Sequence, residues 1–330
     1  MQVKVGLVQM QSVPLEMDEN LKKAEGLVEQ VLKEGAELVV LPEMFSVGFH
    51  TTEKLMDLAE SLEKGKTIDW LRSMAERKKI YITTSLYELH EGHYYNTMVI
   101  VGGDGGLQFY RKRNPTWMEF TVWRRSELPG PGVFETPFGR IGGAICFDSF
   151  AEETYLGFKK CGVDLVIIVA CWGLPVRPRQ DLFWAVPMMR RWSYLASQVV
   201  PQKYAADLGV PAVFVNQSGT ISFPCLLPPP YPWPKVKFDY KLIGNSSVWK
   251  ASGHILMDGR ERGRDFTEVV PLDLPQGEKR PVAGRFGAHP RYMSRDYYFV
   301  QPPFMGKLGQ GWSYRTYHKE YERRRSRHIK

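Results

Sequence analysis

Apolar positions along the chain fall into two spacings. Val3 to Gln9, Leu38 to Leu41, Ile80 to Leu86, Leu165 to Ala170 and Ala212 to Asn216 are continuous or alternating runs, as in strands buried within a sheet. Asp18 to Lys33, Thr67 to Lys79, Glu152 to Lys160 and a segment within Asp181 to Leu208 repeat their apolar residues at helical intervals. Strand and helix alternate, giving two βαβ-rich halves. A hairpin-like pair, Tyr95 to Val101 and Leu107 to Arg111, interrupts the alternation in the middle. Shorter strands near Ser247 to Lys250, His254 to Met257 and Thr267 to Leu272 are expected to complete a second sheet. Pro224 to Pro234 excludes a helix or a central strand and is expected to be an ordered loop.

Composition and charge refine this picture. With 330 residues, 43% of them hydrophobic and 24% charged, the chain has the make-up of an ordinary globular protein. No run is long and apolar enough to span a bilayer, and because Met1-Gln2-Val3-Lys4 leads straight into a strand, no signal peptide is expected. Four scattered cysteines form no disulfide scaffold, so a cytoplasmic setting is expected. The net charge of +8 is concentrated at the end: Ser313 to Lys330 holds seven Lys/Arg against two Glu, or +5, leaving +3 for the preceding residues. Such a tail reads as a solvated end, and without an aromatic-basic motif in the core no nucleic-acid partner is expected.

Three segments carry candidate chemistry. In Ile141 to Ile145 a glycine-containing apolar run ends in Cys146-Phe147-Asp148, followed by the acidic helix start Ser149 to Glu153. A strand that turns sharply after its last residue exposes the thiol at the sheet edge, as the serine is exposed in a nucleophile elbow. The thiolate is the reactive form, so Cys146 needs a base. Glu37-Leu38-Val39-Val40-Leu41 ends in Pro42-Glu43, which puts a carboxylate at the rim of a buried strand. Tyr110-Arg111-Lys112 is followed by Glu119, with Pro115 breaking regular structure between them.

Other motifs carry less. Cys161, Cys171 and Cys225 form no CxxC pair and no metal-ligand spacing with histidines, so neither a metal nor another cofactor is implied. His90-Glu91-Gly92-His93 lacks the i, i+4 histidines of a zinc protease and reads as a hairpin turn. Gly102-Gly103-Asp104-Gly105-Gly106 opens no helix and reads as a turn, and Ser61 with Lys64 lies in a charged helical neighbourhood that gives no catalytic context.

Pro42-Glu43, Tyr110-Arg111-Lys112 with Glu119, and Ile145-Cys146-Phe147-Asp148, in that order, resemble the three signatures of the nitrilase superfamily of carbon-nitrogen hydrolases. Val215 to Gly219 and Gly244 to Val248 resemble later segments of the same family. The resemblance implies an α/β fold, a four-layer α-β-β-α sandwich, over residues 1–284, with 285–330 a C-terminal extension suited to subunit contacts in a homo-oligomer. It implies Glu43 as general base, Cys146 as nucleophile, Lys112 with the backbone N–H of Phe147 as oxyanion donors, and Glu119 orienting Lys112 or the substrate nitrogen.

Trp117, Trp172 and Asp148 are candidate substrate contacts, and Arg177, Arg179, Arg190 and Arg191 could clamp a substrate carboxylate or lie on a helix surface. Lys112-x-x-Pro115-Thr116-Trp117-x-Glu119 looks nitrilase-like, whereas Phe147-Asp148 after the cysteine is closer to amidases and carbamoylases. Because the residues beside the nucleophile border the reacting group, a small amide is the favoured substrate. A nitrile is the first alternative; N-carbamoyl hydrolysis, and an acyl-transferring or non-catalytic relative, are the others.

Overall fold

In the run Leu38-Val39-Val40-Leu41 successive side chains point to opposite faces, and all four are buried. A strand apolar on both faces belongs between two layers, and the architecture follows from several such strands. The computed structural model describes residues 1–116, 119–176, 185–225, 236–260 and 263–275. The C-terminal extension, Trp117, Arg177, Arg179 and most of the proline-rich segment lie outside these residues, as do the side chains of Arg190 and Arg191.

The elements follow in chain order: β1 (Gln2–Gln9), α1 (Met17–Lys33), β2 (Leu38–Glu43), α2 (Lys66–Lys78), β3 (Tyr81–His90), β4 (His93–Val101) and β5 (Leu107–Arg111). Then come β6 (Val133–Thr136), β7 (Gly139–Ile145), α3 (Glu152–Cys161), β8 (Leu165–Ala170), β9 (Gly173–Pro175), α4 (Ala185–Leu208) and β10 (Ala212–Asn216). The last are β11 (Ser218–Cys225), β12 (Val236–Ile243), β13 (Ser247–Trp249), β14 (Ile255–Asp258) and β15 (Phe266–Asp273).

Two six-stranded sheets result, with orders β15-β1-β2-β3-β4-β5 and β14-β13-β10-β8-β7-β6. Their inner faces meet through Val5, Leu7, Leu38 and Val40 on one side and Ile145, Ile167, Val169, Val213 and Val215 on the other. On the outer face of the first sheet, Val39, Leu41 and Ile82 pack with Ala24, Val28 and Leu71 of α1 and α2. On the outer face of the second, Val166, Ile168 and Phe214 pack with Phe158 of α3 and Tyr204 and Ala205 of α4. This is the expected four-layer α-β-β-α arrangement. Each fully buried Val, Leu or Ile contributes about 1.5–3 kcal/mol of transfer free energy, so the three cores together oppose the chain entropy of a long polypeptide.

The helices sit where their sequence periodicity directs. Met17, Leu21, Ala24, Val28 and Val31 line one face of α1, with Asp18 and Glu19 in the first turn and Lys33 in the last, charges that complement the helix dipole. α3 stops at Gly162, whose φ of 63° is the left-handed conformation that glycine adopts without cost.

Three differences from the sequence expectation are informative. The strand beginning near Ile80 extends to His90, because Glu91-Gly92 forms the two-residue turn of a β3–β4 hairpin. β15, expected in the second sheet, instead pairs antiparallel with β1 at the edge of the first. A third sheet, ordered β11-β12-β9, also forms. Its edge strand β11 includes Pro224, the kind of position that tolerates a residue without an N–H. No helix among the described residues is long and apolar enough to cross a membrane.

Candidate active site

Strands β2, β7 and β8 are parallel neighbours within their sheets, and the residues at their carboxyl ends gather around one carboxylate. A register irregularity follows Val40 in the β2–β3 pairing, and Met44 adopts a φ of 56°. The main chain is held in this turn by Met44 N–H donating to Ser85 O at 3.1 Å and Thr84 Oγ1 donating to Pro42 O at 2.8 Å. Glu43 is thereby directed inward and is fully buried. Its Oε1 accepts from Asn96 Nδ2 at 2.7 Å and from Lys112 Nζ at 2.9 Å, and its Oε2 accepts from the backbone N–H of Cys171 at 2.8 Å. Burial raises the Glu43 carboxyl, but the Lys112 charge and the Cys171 and Lys112 hydrogen bonds outweigh it and hold the group below its ordinary value.

Lys112 lies just past β5, anchored by its own N–H to Asn96 O at 2.9 Å and by its carbonyl accepting from Ser126 N at 2.9 Å. Its ammonium, fully buried, bridges Glu43 and Glu119, the latter at 2.7 Å. Burial opposes the charge, yet Glu119 and Glu43 overcome it and keep the group well above an ordinary lysine. Glu119 stands in a short 3-10 turn, Glu119–Thr121. Burial raises its pKa to about 7 and the neighbouring Glu43 charge adds to the rise, while Lys112 restrains it. This second carboxyl is therefore poised between its two protonation states near neutrality.

Cys146 directly follows β7 and lies in the left-handed region, φ 49°, unusual for a residue with a side chain. Such backbone strain is of order 1–3 kcal/mol and clusters at functional sites. The chain then winds into a 3-10 turn, Cys146–Phe150, closed by Ser149 Oγ donating to Cys146 O at 2.6 Å. The Cys146 thiol is pushed well above its ordinary value, first by burial and then by the Glu43 charge, against the pull of Lys112. The backbone just before the nucleophile is tightly enclosed: a Cβ on Gly143 would lie 2.5 Å from Phe134 Cε2 and 2.7 Å from Met98 Sδ.

Glu43, Lys112, Glu119 and Cys146 thus converge, and Phe147 is the second residue of the 3-10 turn that Cys146 begins. The other expected site residues are used differently. Asp148 is fully buried and ties the lysine loop to the nucleophile turn. Its Oδ1 accepts from Asn114 N at 2.7 Å, Asn114 Nδ2 at 3.0 Å and Arg113 N at 3.2 Å, and its Oδ2 accepts from Tyr110 OH at 3.1 Å. Those bonds replace the expected substrate contact with a latch. Burial raises the Asp148 carboxyl to about 6. The Trp172 ring belongs to the outer core, edge-on to Phe150 and Phe214 with centroids 5.1 and 6.1 Å away. Its main chain is clamped by Asn216, whose Oδ1 accepts from Trp172 N at 2.6 Å and whose Nδ2 donates to Trp172 O at 3.0 Å.

Sequence reasoning missed Asn96, Cys171 and Tyr240. The Tyr240 phenol is raised by burial and then by Cys146, Cys171 and Glu119, which places it beside the cluster. Its ring covers Gly173, where a Cβ would lie 2.7 Å from Tyr240 Cε1, and packs with Phe49 and Phe223 at 6.4 and 6.1 Å. Trp123 extends this aromatic wall through Phe49 at 6.4 Å. Val236-Lys237-Phe238-Asp239-Tyr240-Lys241-Leu242 alternates apolar with charged residues, a strand signal that points to Tyr240.

The family described as Carbon-nitrogen hydrolase matches residues 4–278. A protein named nitrilase from Pyrococcus abyssi is 36% identical over 179 residues, 54% of this chain and 68% of its own length. Omega-amidase NIT2 from Xenopus tropicalis is 32% identical over 186 residues, 53% of this chain and 66% of its own length. The matched region therefore spans about two thirds of each relative. The crystal structure of a carbon-nitrogen hydrolase from Helicobacter pylori G27 aligns with a TM-score of 0.67 and 21% identity over 83% of this chain and 90% of its own, a likeness of fold. The family match over most of the chain and the shared fold agree with the four converging side chains, and the chain belongs to the carbon-nitrogen hydrolase family of the nitrilase superfamily.

Proposed function

We propose that the protein is a thiol amidohydrolase that cleaves the C–N bond of a small amide through a thioester on Cys146. The observation that carries this reading is the buried bridge of Lys112 Nζ to Glu43 and Glu119 at 2.9 and 2.7 Å, in a cluster that includes the strained Cys146. A thiol held protonated by burial needs its proton removed during attack, and Glu43, kept ionised, is the acceptor. As sulfur bonds to the carbonyl carbon, negative charge grows on oxygen, and Lys112 with the Phe147 N–H stabilises it. Glu119, its pKa raised to about 7, supplies a proton toward the leaving nitrogen, and Glu43 returns the thiol's proton to Glu119 through the bridging ammonium of Lys112, so that Glu43 is again a carboxylate. Ammonia or an amine departs, Glu43 activates water, and the thioester is hydrolysed to the acid.

The aromatic wall of Phe49, Trp123, Phe223 and Tyr240 suits an apolar acyl group. The Phe147-Asp148 pair and the omega-amidase relative support an amide. The relative named nitrilase supports a second reading, in which a nitrile meets the same thiol. The test is ammonia release from a panel of amides, N-carbamoyl compounds and nitriles, with Cys146→Ala as the blank and intact-protein mass spectrometry for an acyl adduct. Release from amides with an adduct on Cys146 supports the proposal; release from nitriles alone replaces it with the second reading; ammonia from the Cys146→Ala protein overturns both.

A further inference from the structure

We propose that Cys171 is a positioning residue for the catalytic carboxylate: its side-chain thiol and backbone N–H together hold Oε2 of Glu43, and its sulfur can reverse from hydrogen-bond donor to acceptor when that carboxylate takes a proton. The proposal rests on the reading of Glu43 as general base.

Besides the Cys146 thiol, whose proton Glu43 is proposed to take, four donors surround the carboxylate. Asn96 Nδ2 and Lys112 Nζ occupy Oε1, while Cys171 N and Cys171 Sγ, the latter at 3.0 Å, occupy Oε2. An amide NH2, an ammonium and a backbone N–H can only donate. When Glu43 accepts the nucleophile's proton, these three keep facing an oxygen that no longer carries full charge. A thiol is different, being both a weak donor and a weak acceptor, so rotation of its S–H lets sulfur accept from the new carboxylic acid. Cys171 is the one partner among these four that fits both protonation states. A soft donor also yields at lower cost than a charged one, since hydrogen bonds to charged groups are about twice as strong as neutral ones.

The position is fixed from several directions. Cys171 is the first residue past β8, where Ile145 of β7 stands opposite Val169, so the ends carrying Cys146 and Cys171 lie side by side. Gln217 N donates to Ala170 O at 3.0 Å, and Gln217 Nε2 donates to Glu43 O at 2.7 Å, tying both segments to β10. Trp172, the next residue, is clamped at both main-chain atoms by Asn216. The Cys171 N–H therefore cannot leave Glu43 without moving strand ends, and the thiol is carried on that fixed main chain. Burial, and then the Glu43 charge, hold Cys171 protonated, so the donor form is the resting one.

Two variants and two readouts test this. In the pH profile of kcat/KM on the best-hydrolysed panel member, the acid limb reports the free enzyme's base. Cys171→Ala removes one donor from the carboxylate and is expected to move that limb upward by about 0.5–1 pH unit, the size of one lost hydrogen bond. Cys171→Ser, a stronger donor and acceptor of nearly the same shape, is expected to place the limb at or below the wild-type position and to retain kcat. The second readout needs no turnover: the S–H stretching band in Cys146→Ala, isolated by subtracting Cys146→Ala/Cys171→Ala. It is expected at a hydrogen-bonded frequency near neutral pH and to shift as Glu43 is protonated. An unmoved acid limb in Cys171→Ala with only a lowered Tm, or a free-thiol band insensitive to pH, overturns the proposal. If no panel member is hydrolysed, the functional reading has failed and the infrared result alone decides the placement of the thiol.

Discussion

Replacing Lys112 by Met isolates the electrostatics of the site, because it keeps the length of an apolar stem and removes one charge between two buried carboxylates. Lys112 and Glu43 are 0% exposed and Glu119 2%, so neither carboxylate can turn to water. Breaking a buried pair by deleting one partner costs about 3–5 kcal/mol, and here that cost depends on pH in a calculable way. In the wild type Glu43 is held below its ordinary value, so its contribution is complete above that range and is lost only as pH falls through the folded-state pKa. Glu119, raised to about 7 from 4.5, lowers stability as pH rises between those values and adds no slope above 7.

Without Lys112 the chief downward influence on both carboxyls is gone, and burial pushes both upward. Each carboxyl that must stay protonated in the folded state then costs about 1.4 kcal/mol per pH unit above 7. The variant should therefore lose a further 1.4 to 2.7 kcal/mol per pH unit, by the same rule for about one to two protons, while the wild-type contribution from these groups stays level. Lys112 itself, raised well above 10.5, adds no slope in this window. Urea unfolding at a fixed protein concentration, at pH 7, 8 and 9, with the m value checked for constancy, measures the difference. Lys112→Met/Glu119→Gln removes one of the two acids and should reduce the slope to at most about 1.4 kcal/mol per pH unit. Parallel pH profiles for wild type and Lys112→Met, or a loss at pH 7 of under about 1 kcal/mol as for a surface pair, would refute the buried bridge.

Three further outcomes are expected. Glu119→Gln should lower kcat by roughly 10²–10⁴-fold and abolish the decline in rate as pH rises through about 7, where the wild-type acid form is lost; steady-state kinetics from pH 5 to 9, a range of about two units either side, reads both. Gly143→Ala, whose Cβ would meet Phe134 at 2.5 Å, should destabilise the fold by about 1–3 kcal/mol through overpacking, measured by denaturant titration. Asp148→Ala leaves the donors of Asn114, Arg113 and Tyr110 facing nothing and should cost at least about 3 kcal/mol with a fall in kcat; Asp148→Asn, whose oxygen still accepts from Asn114 while its NH2 donates to the Tyr110 oxygen, should cost much less, and equal losses in the two variants would argue against the latch.

How far these features can be read in the sequence depends on the range of the interaction that creates them. β2, β7 and β8 are legible because a buried parallel strand must be apolar on both faces, and Glu43 and Cys146 because each stands at the end of such a run or just past one; Lys112, past the antiparallel edge strand β5, is legible only through its spacing to the other motifs. The positions of β15 and β11 are not legible in that way. β15 is paired with β1 more than 250 residues away in sequence, and nothing local distinguishes the edge of one sheet from the edge of the other. β12 carries the period-2 signal in Val236 to Leu242, but the adjoining prolines draw attention to the loop. Cys171 meets Glu43 across 128 residues, and Asp148 meets Asn114 across 34. Such contacts exist only once the sheets have stacked. A cysteine following an apolar strand is locally indistinguishable from a packed core cysteine, so the same reasoning that identifies Cys146 is silent on Cys171.

The charge arrangement also sets how the proposed reaction would begin. A buried cluster holding Glu43 as carboxylate and Lys112 as ammonium is near neutral, and burial, then the Glu43 charge, keep the Cys146 thiol protonated. In the proposed mechanism, moving the proton from sulfur to Glu43 leaves the number of charges unchanged, and carrying the negative charge onward to the substrate oxygen would place it opposite Lys112, released from its partner by the protonation of Glu43. The substrate carbonyl therefore completes the circuit: without it the proton has no reason to leave sulfur. A pre-formed thiolate is not required, and a soft thiol at Oε2 that accepts when Glu43 becomes an acid belongs to the same design, in which each proton transfer is matched by a neighbour able to follow it.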